Sequence, residues 1–199
     1  MKVLLLDIET APNIAYVWEL WSKHMFIPTT QLIDSRYVLC WAAKWHNKDR
    51  MMFSSVEQDG PKHMLRSIHS LLNQADVVVH YNGKKFDIPA LNKEFLIHGF
   101  QPPAHYKQID LLTFTRSRFK FVSNKLDYVA KTLGVGQKVR HKGFELWIEC
   151  MAHDSEAWKQ METYNKQDVI ILEGVYNKML PWIKDNPTNR GLAKILKDL

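Results

Sequence analysis

Three acidic strings in this sequence carry residue types that can do metal chemistry. Asp7-Ile8-Glu9-Thr10 puts two carboxylates at alternate positions, so in an extended chain both side chains share one face. Two carboxylates that close repel each other unless a cation sits between them. Mg²⁺ and Mn²⁺, hard ions that favour carboxylate and water oxygens, suit that position. His80-Tyr81-Asn82-Gly83-Lys84-Lys85-Phe86-Asp87 supplies a third acid. Asn-Gly marks a sharp turn, which leaves Asp87 at the entrance of the next helix. Capping alone accounts for an acid there, but not for its company with Asn82 and Phe86. Tyr164-Asn165-Lys166-Gln167-Asp168 supplies the fourth, and the spacing of four stacks Tyr164 and Asp168 on one helical face. Each string is weak alone, since D-x-E recurs by chance and acids often edge a buried helix.

The elements that must position these acids follow from apolar periodicity. Residues 2–8 are a nearly continuous apolar run, the pattern of a strand buried on both faces. Residues 37–45 and 50–56 read as two further strands, joined in a hairpin by the polar stretch His46-Asn47-Lys48-Asp49. Asp59-Gly60-Pro61 opens a helix with apolar positions Met64, Leu65, Ile68, Leu71 and Leu72. A β-branched strand over 76–80 precedes a helix over 89–98 that Gly99 stops. Residues 106–112 read as a short strand running into a helical segment. Ser123-Asn124 leads a helix over 125–133 ended by Gly134, and a last long helix begins at Ser155 and stops at Pro181. This order predicts one α/β domain over residues 1–199, a mixed central sheet flanked by helices. Residues 11–36 carry Trp18, Trp21, Met25 and Phe26 without a period. Two readings stay open for them: a flap beside the site, or an insertion packed on the core through these aromatics.

Composition bounds the class. With 46% hydrophobic and 24% charged residues, the 199-residue chain can bury a full core. No stretch reaches the roughly 18 apolar residues of a membrane span, and the apolar run before Asp7 is too short for a signal-peptide core. Two cysteines, Cys40 and Cys150, argue against a disulfide framework and for a reducing cytoplasm. Cys150 and His153 have a C-x-x-H spacing, but no second ligand pair accompanies them, which argues against zinc. A formal charge of +6 and a pI near 9.2 suit a partner that is a polyanion. Lys84-Lys85, Arg116-x-Arg118-x-Lys120 and Lys138-x-Arg140-His141-Lys142 are candidate phosphate contacts. Phe119 and Phe121 are candidates for stacking on unpaired bases.

Taken in order, D-x-E, H-Y-N-G-x-x-F-D and Y-x-x-x-D resemble the motifs of the DEDD superfamily of 3′→5′ exonucleases, whose fold is RNase H-like. Ser123-Asn124-Lys125-Leu126-Asp127-Tyr128-Val129-Ala130-x-x-Leu133-Gly134 is similar to the S-x-x-L-D-x-V-A-x-x-L-G helix of family-B DNA polymerase proofreading domains. Tyr four residues before the final Asp is the mark of the tyrosine (DEDDy) branch. The histidine branch carries His five before it, where this chain has Thr163. YprB-type RNase H-like proteins of bacteria and phages are a similar subgroup.

The resemblance implies hydrolysis of phosphodiester bonds at DNA 3′ ends, single-stranded by preference, releasing nucleoside monophosphates with two Mg²⁺ or Mn²⁺ ions. It implies that Asp7 bridges the ions, that Glu9 and Asp168 complete the site of the water-activating ion, and that Asp87 holds the second ion partly through water. Tyr164, with a phenol pKa near 10, then orients the metal-bound water. Thr10, Asn82, Phe86 and Lys125 fall near the terminal nucleotide, core packing being an equal reading for Phe86. His80 reads as a strand-end hydrogen-bonding residue. The whole describes a bacterial or phage-encoded cytoplasmic monomer, able to join a replication or DNA repair partner non-covalently. Two rivals stay open: the same chemistry on RNA, as in RNase D-like enzymes, and a non-catalytic nucleic-acid-binding module. No acid is missing, which weighs against the second.

Overall fold

The computed structural model describes residues 1–21 and 26–184. Its strands are β1 (Val3–Thr10), β2 (Ile14–Ala15), β3 (Leu32–Asp34), β4 (Val38–Trp45), β5 (Met51–Ser55), β6 (Val77–His80) and β7 (Lys107–Asp110). Its helices are α1 (Val56–Gln74), α2 (Asp87–Ile97), α3 (Leu111–Arg118), α4 (Leu126–Thr132), α5 (Glu145–Met151) and α6 (Ser155–Lys184). The main sheet has the order β5-β4-β1-β6-β7, antiparallel from β5 to β1 and parallel from β1 to β7. The mixed α/β sheet with flanking helices is the architecture the sequence predicts.

β1 lies at the centre because its apolar residues serve both faces. Leu4, Leu6 and Ile8 pack with Trp41 and Val78 under α1 and α2. Val3 and Leu5 pack with Val77, Val79 and Ile109 under α3, α4 and α6. Burying one leucine contributes about 1.5–3 kcal/mol, and Leu4, Leu5 and Leu6 are all fully buried. With leucines on both faces, it is the acids that fix the register: a one-residue slip of β1 would turn Asp7 and Glu9 to the wrong face. A third cluster, with Leu39, Cys40, Leu146, Cys150, Trp158 and Met161, seats α5 and the start of α6.

Four local features differ from expectation. Ser55 Oγ accepts from the Gln58 N–H at 3.1 Å and caps a single turn before Gly60, at φ 70°, breaks it. The body of α1 then restarts at Pro61, as the sequence predicts. α2 begins at Asp87, two residues before the predicted start. α6 does not stop at Pro181 but runs to Lys184. Proline removes one backbone hydrogen bond, yet the fully buried Ile183 anchors the last turn in the core. α5 is not foreseen, because Leu146 and Cys150 are its only buried positions and so short a stripe carries little period.

The 11–36 segment forms its own small sheet, with β2 and β3 antiparallel. None of its described residues from 12 to 36 is buried, so Trp18, Trp21 and Phe26 are not packed on the core. Met25 lies outside the described residues. Among the described residues no helix is long and apolar enough to cross a membrane.

Candidate active site

Asp7 and Glu9 continue the face of Val3 and Leu5, and so point toward α6, where Asp168 waits. One carboxylate oxygen from each of Asp7, Glu9 and Asp168 lies within 4.8 Å of the others. Asp7 and Glu9 are deep-set with an opening to solvent, whereas Asp168 is buried. Asp87 stands beside this group, not within it. Its Oδ1 accepts the Ile8 N–H at 3.2 Å, which ties α2 to the backbone of β1 between the two acids. Tyr164, buried one turn before Asp168, faces the same site. Thr163 is exposed and its hydroxyl donates to the Lys159 carbonyl at 2.9 Å, so the position a histidine would take points away.

The field in this cluster opposes ionisation. Burial, then the charges of Asp87, Glu9 and Asp168, hold Asp7 well above the carboxylate range. Burial and Asp168 push Glu9 up to about 8. Burial pushes Asp87 up to about 7 although backbone N–H groups, Ile8 among them, oppose it. Burial also raises Asp168, against the pull of Lys138. Carboxylates so arranged ionise together only when positive charge arrives. An all-oxygen donor set of this kind fits Mg²⁺ or Mn²⁺.

One positive charge is built in. Lys138 Nζ hydrogen-bonds Asp168 and, at 3.1 Å, the Tyr164 hydroxyl, and it lies 5.1 Å from the Tyr164 ring centroid. Burial alone would lower this ammonium, but Asp168 and Tyr164 outweigh it and hold the group charged. Of the basic strings in the sequence, this one reaches the acids.

Neighbours fix the acids and the tyrosine. Asn165, fully buried, donates from Nδ2 to Asp7 Oδ2 at 2.7 Å. The Trp147 indole on α5 favours the charged form of Glu9; its ring packs edge-on to Tyr164 at 6.0 Å, with His141 at 4.7 Å from Tyr164 and 5.3 Å from Trp147. Asp110 organises the loop that carries Asn82 and Phe86. Its Oδ1 accepts from Asn82 N (3.0 Å), Leu112 N (3.0 Å) and Thr113 N (3.3 Å), and its Oδ2 from Lys84 N (3.2 Å). A Cβ on Gly83 would meet His80 Cγ at 2.4 Å, so only glycine fits that turn. His80 itself bonds Gln108 Oε1 at 3.1 Å, a structural role.

Asn165 is missed from sequence although its spacing, three before Asp168, puts it on the same face. Asp110 carries the local signal of a helix cap but none of its reach to Asn82 and Lys84, and Trp147 carries none; the tertiary fold brings both to the site.

The other named residues separate onto two sides. Thr10 and Phe86 line a cavity of about 180 Å³ with Arg36, Tyr37, Lys85 and Lys93. Lys125 lines a cleft of about 700 Å³ with Tyr81, Arg116, Ser123, Asn124 and Lys138. Phe119 packs edge-on to Phe114, Phe121 and Trp182, and both Phe119 and Phe121 are partly buried against the core. Lys142 is paired with Glu149 at 2.8 Å. Cys150 is buried and His153 bonds Glu57 at 2.6 Å, so the two do not form a metal pair.

The model of the RNase H superfamily matches residues 29–180, a span that holds Asp87, Tyr164 and Asp168 and begins after β1. The structure is similar to that of the family B DNA polymerase from the hyperthermophilic archaeon Pyrobaculum calidifontis, with a TM-score of 0.67 and 20% identity over 92% of this chain. This chain spans 25% of that polymerase's length, and at such identity the likeness concerns the fold alone. A search of curated proteins gave no match. A family match over well more than half of the sequence, on a mixed sheet that gathers its acids at the end of the central strand, makes this chain a member of the RNase H superfamily.

Proposed function

We propose that this protein is a metal-dependent 3′→5′ exonuclease of the tyrosine branch that shortens DNA strands. The observation that carries the reading is the convergence of Asp7, Glu9 and Asp168 within 4.8 Å, with Tyr164 and Lys138 against them. Asp7, Glu9 and Asp168 would hold one divalent cation, and Asp87 with Asp7 a second. Bound there, the ions lower the pKa of the attacking water and stabilise the leaving 3′ oxygen. Water adds to phosphorus, the bond to the 3′ oxygen of the penultimate nucleotide breaks, and a nucleoside 5′-monophosphate departs. Asn165 keeps Asp7 oriented. Burial, Glu9 and Asp168 raise the Tyr164 phenol further above its usual range, so it orients water through a neutral hydroxyl and does not serve as a base. Lys138 offers fixed positive charge to the phosphate, the kind of preorganised donor whose loss typically lowers a rate by roughly 10²–10³.

The unequal cavities on the two sides support attack at an end. The wide cleft lined by Arg116 and Lys125 suits a strand, whereas the small pocket at Thr10 and Phe86 suits one base. The test incubates 5′-labelled single-stranded DNA, duplex DNA and RNA with the protein and Mn²⁺, beside EDTA and Asp7→Ala controls. A ladder that shortens from the 3′ end, absent in both controls, supports the reading. Cuts in a circular single strand would overturn the exonuclease assignment, and faster shortening of RNA would change the substrate class.

A further inference from the structure

The 11–36 segment leaves the sheet directly after the acids of β1 and returns at the edge of the small pocket. Ala11 N bonds the Tyr37 carbonyl at 2.9 Å, and Arg36 N bonds Asn13 Oδ1 at 2.7 Å, closing the two ends together. The Arg36 guanidinium lies 5.5 Å from the Phe86 ring centroid, and Lys93 Nζ bonds the Arg36 carbonyl. The segment is therefore rooted at the rim of the carboxylate site. Beyond the root five of its described apolar side chains stand in solvent: Tyr16 is 75% exposed, Trp18 97%, Leu20 92%, Trp21 80% and Phe26 83%. Isolated exposed apolar residues are ordinary, but five so exposed within one short segment, Tyr16, Trp18, Leu20, Trp21 and Phe26, call for a partner.

We infer that this aromatic arm is a stacking surface for the unpaired bases of the strand that enters the carboxylate site. The inference rests on the nuclease reading. Three observations favour a single strand over a protein as the occupant. The arm is continuous with the pocket lined by Arg36, Lys85 and Lys93, where the one acid, Glu94, is paired with Lys93 at 2.9 Å and the net charge stays positive. Between Asn13 and Tyr37 the two acids Glu19 and Asp34 are balanced by Lys23 and Arg36, so the arm carries no net negative charge to repel a phosphate backbone. Its most exposed members include two indoles, whose flat faces stack on any base and hold a strand without reading sequence. The chain's +6 charge supplies the long-range attraction.

The experiment uses the full chain with Asp7→Asn, which removes cleavage, and measures fluorescence anisotropy of labelled (dT)20 without metal. Trp18→Ala with Trp21→Ala in that background should weaken binding roughly tenfold or more, each lost stack counting separately. Trp18→Phe with Trp21→Phe should stay within about threefold, because a flat ring remains. The slope of affinity against salt should not change, since no phosphate contact is removed. Equal affinity for the Ala pair and the Asp7→Asn parent overturns the arm and leaves the nuclease reading intact. So does a dimer-to-monomer change in sedimentation at unchanged affinity, which would assign the surface to a second copy. If the unsubstituted protein neither cleaves nor binds the strand, both readings fall.

Discussion

Asp7 stands nearest the conflict on which this site depends, because the acids that make it useful also resist its charge. The folded state raises Glu9 from 4.5 to about 8 and Asp87 from 3.8 to about 7. A folded-state pKa above the unfolded one means that these groups favour the fold fully below the ordinary carboxylate range. That contribution is lost as pH rises through about 7 and 8. Metal-free protein should therefore melt lower at about pH 8 than at about pH 5.5, and Mg²⁺ should raise the melting temperature more at the higher pH. Asp7→Asn removes one of the repelling charges while keeping an acceptor for Asn165. It should stabilise the metal-free protein at about pH 8 by on the order of 1–2 kcal/mol while abolishing cleavage. Thermal melts in EDTA decide this; a less stable Asp7→Asn protein would mean that Lys138 already neutralises the cluster. Tyr164 and Lys138 separate in the same way by kinetics. Tyr164→Phe, which loses only a neutral hydroxyl, should lower kcat by less than about tenfold. Lys138→Ala should lower it by roughly 10²-fold.

At the scale of elements, the arrangement depends on how the strand ends are tied. Asp110 joins the end of β7, the first turn of α3 and the loop before α2 through one carboxylate. Asp110→Ala leaves those N–H groups without their acceptor and should cost about 2–3 kcal/mol in thermal or urea unfolding. It should also lower cleavage more than binding, because Asp87 is reached through that loop. An unchanged rate at lowered stability would restrict Asp110 to a helix cap. What the sequence reveals follows the same division. β1, the β4–β5 hairpin and the position of Asp87 at a helix entrance are legible because apolar period, turn residues and caps are local signals. The four acids are legible because their strings occur in order on those elements. Trp147, α5 and the reach of Asp110 to Asn82 and Lys84 are not, because those partners lie far along the chain. The run through Pro181 is not either, since only the tertiary burial of Ile183 holds it.

At the scale of the whole molecule, charge is divided so that attraction and catalysis do not compete. The acids gather at the end of β1, while Arg116, Lys125 and Lys138 line the wide cleft and Arg36, Lys85 and Lys93 the small pocket. With Lys138 held by Asp168 at the reacting phosphate and Lys93 bonded to the Arg36 carbonyl, Arg36, Lys85, Arg116 and Lys125 are the cations best placed to meet the other phosphates of a strand. Each phosphate neutralised on a single strand contributes a slope of about −0.7 in log affinity against log salt. Binding of (dT)20 by the Asp7→Asn protein should therefore fall with a slope of about −2 to −3. Arg116→Gln should make that slope shallower by about 0.7, whatever the sequence of the strand. Anisotropy titrations across a range of salt concentrations measure both. A slope unaffected by Arg116→Gln would place the strand outside the wide cleft, and with it would go the argument that the two cavities set the direction in which a strand is threaded.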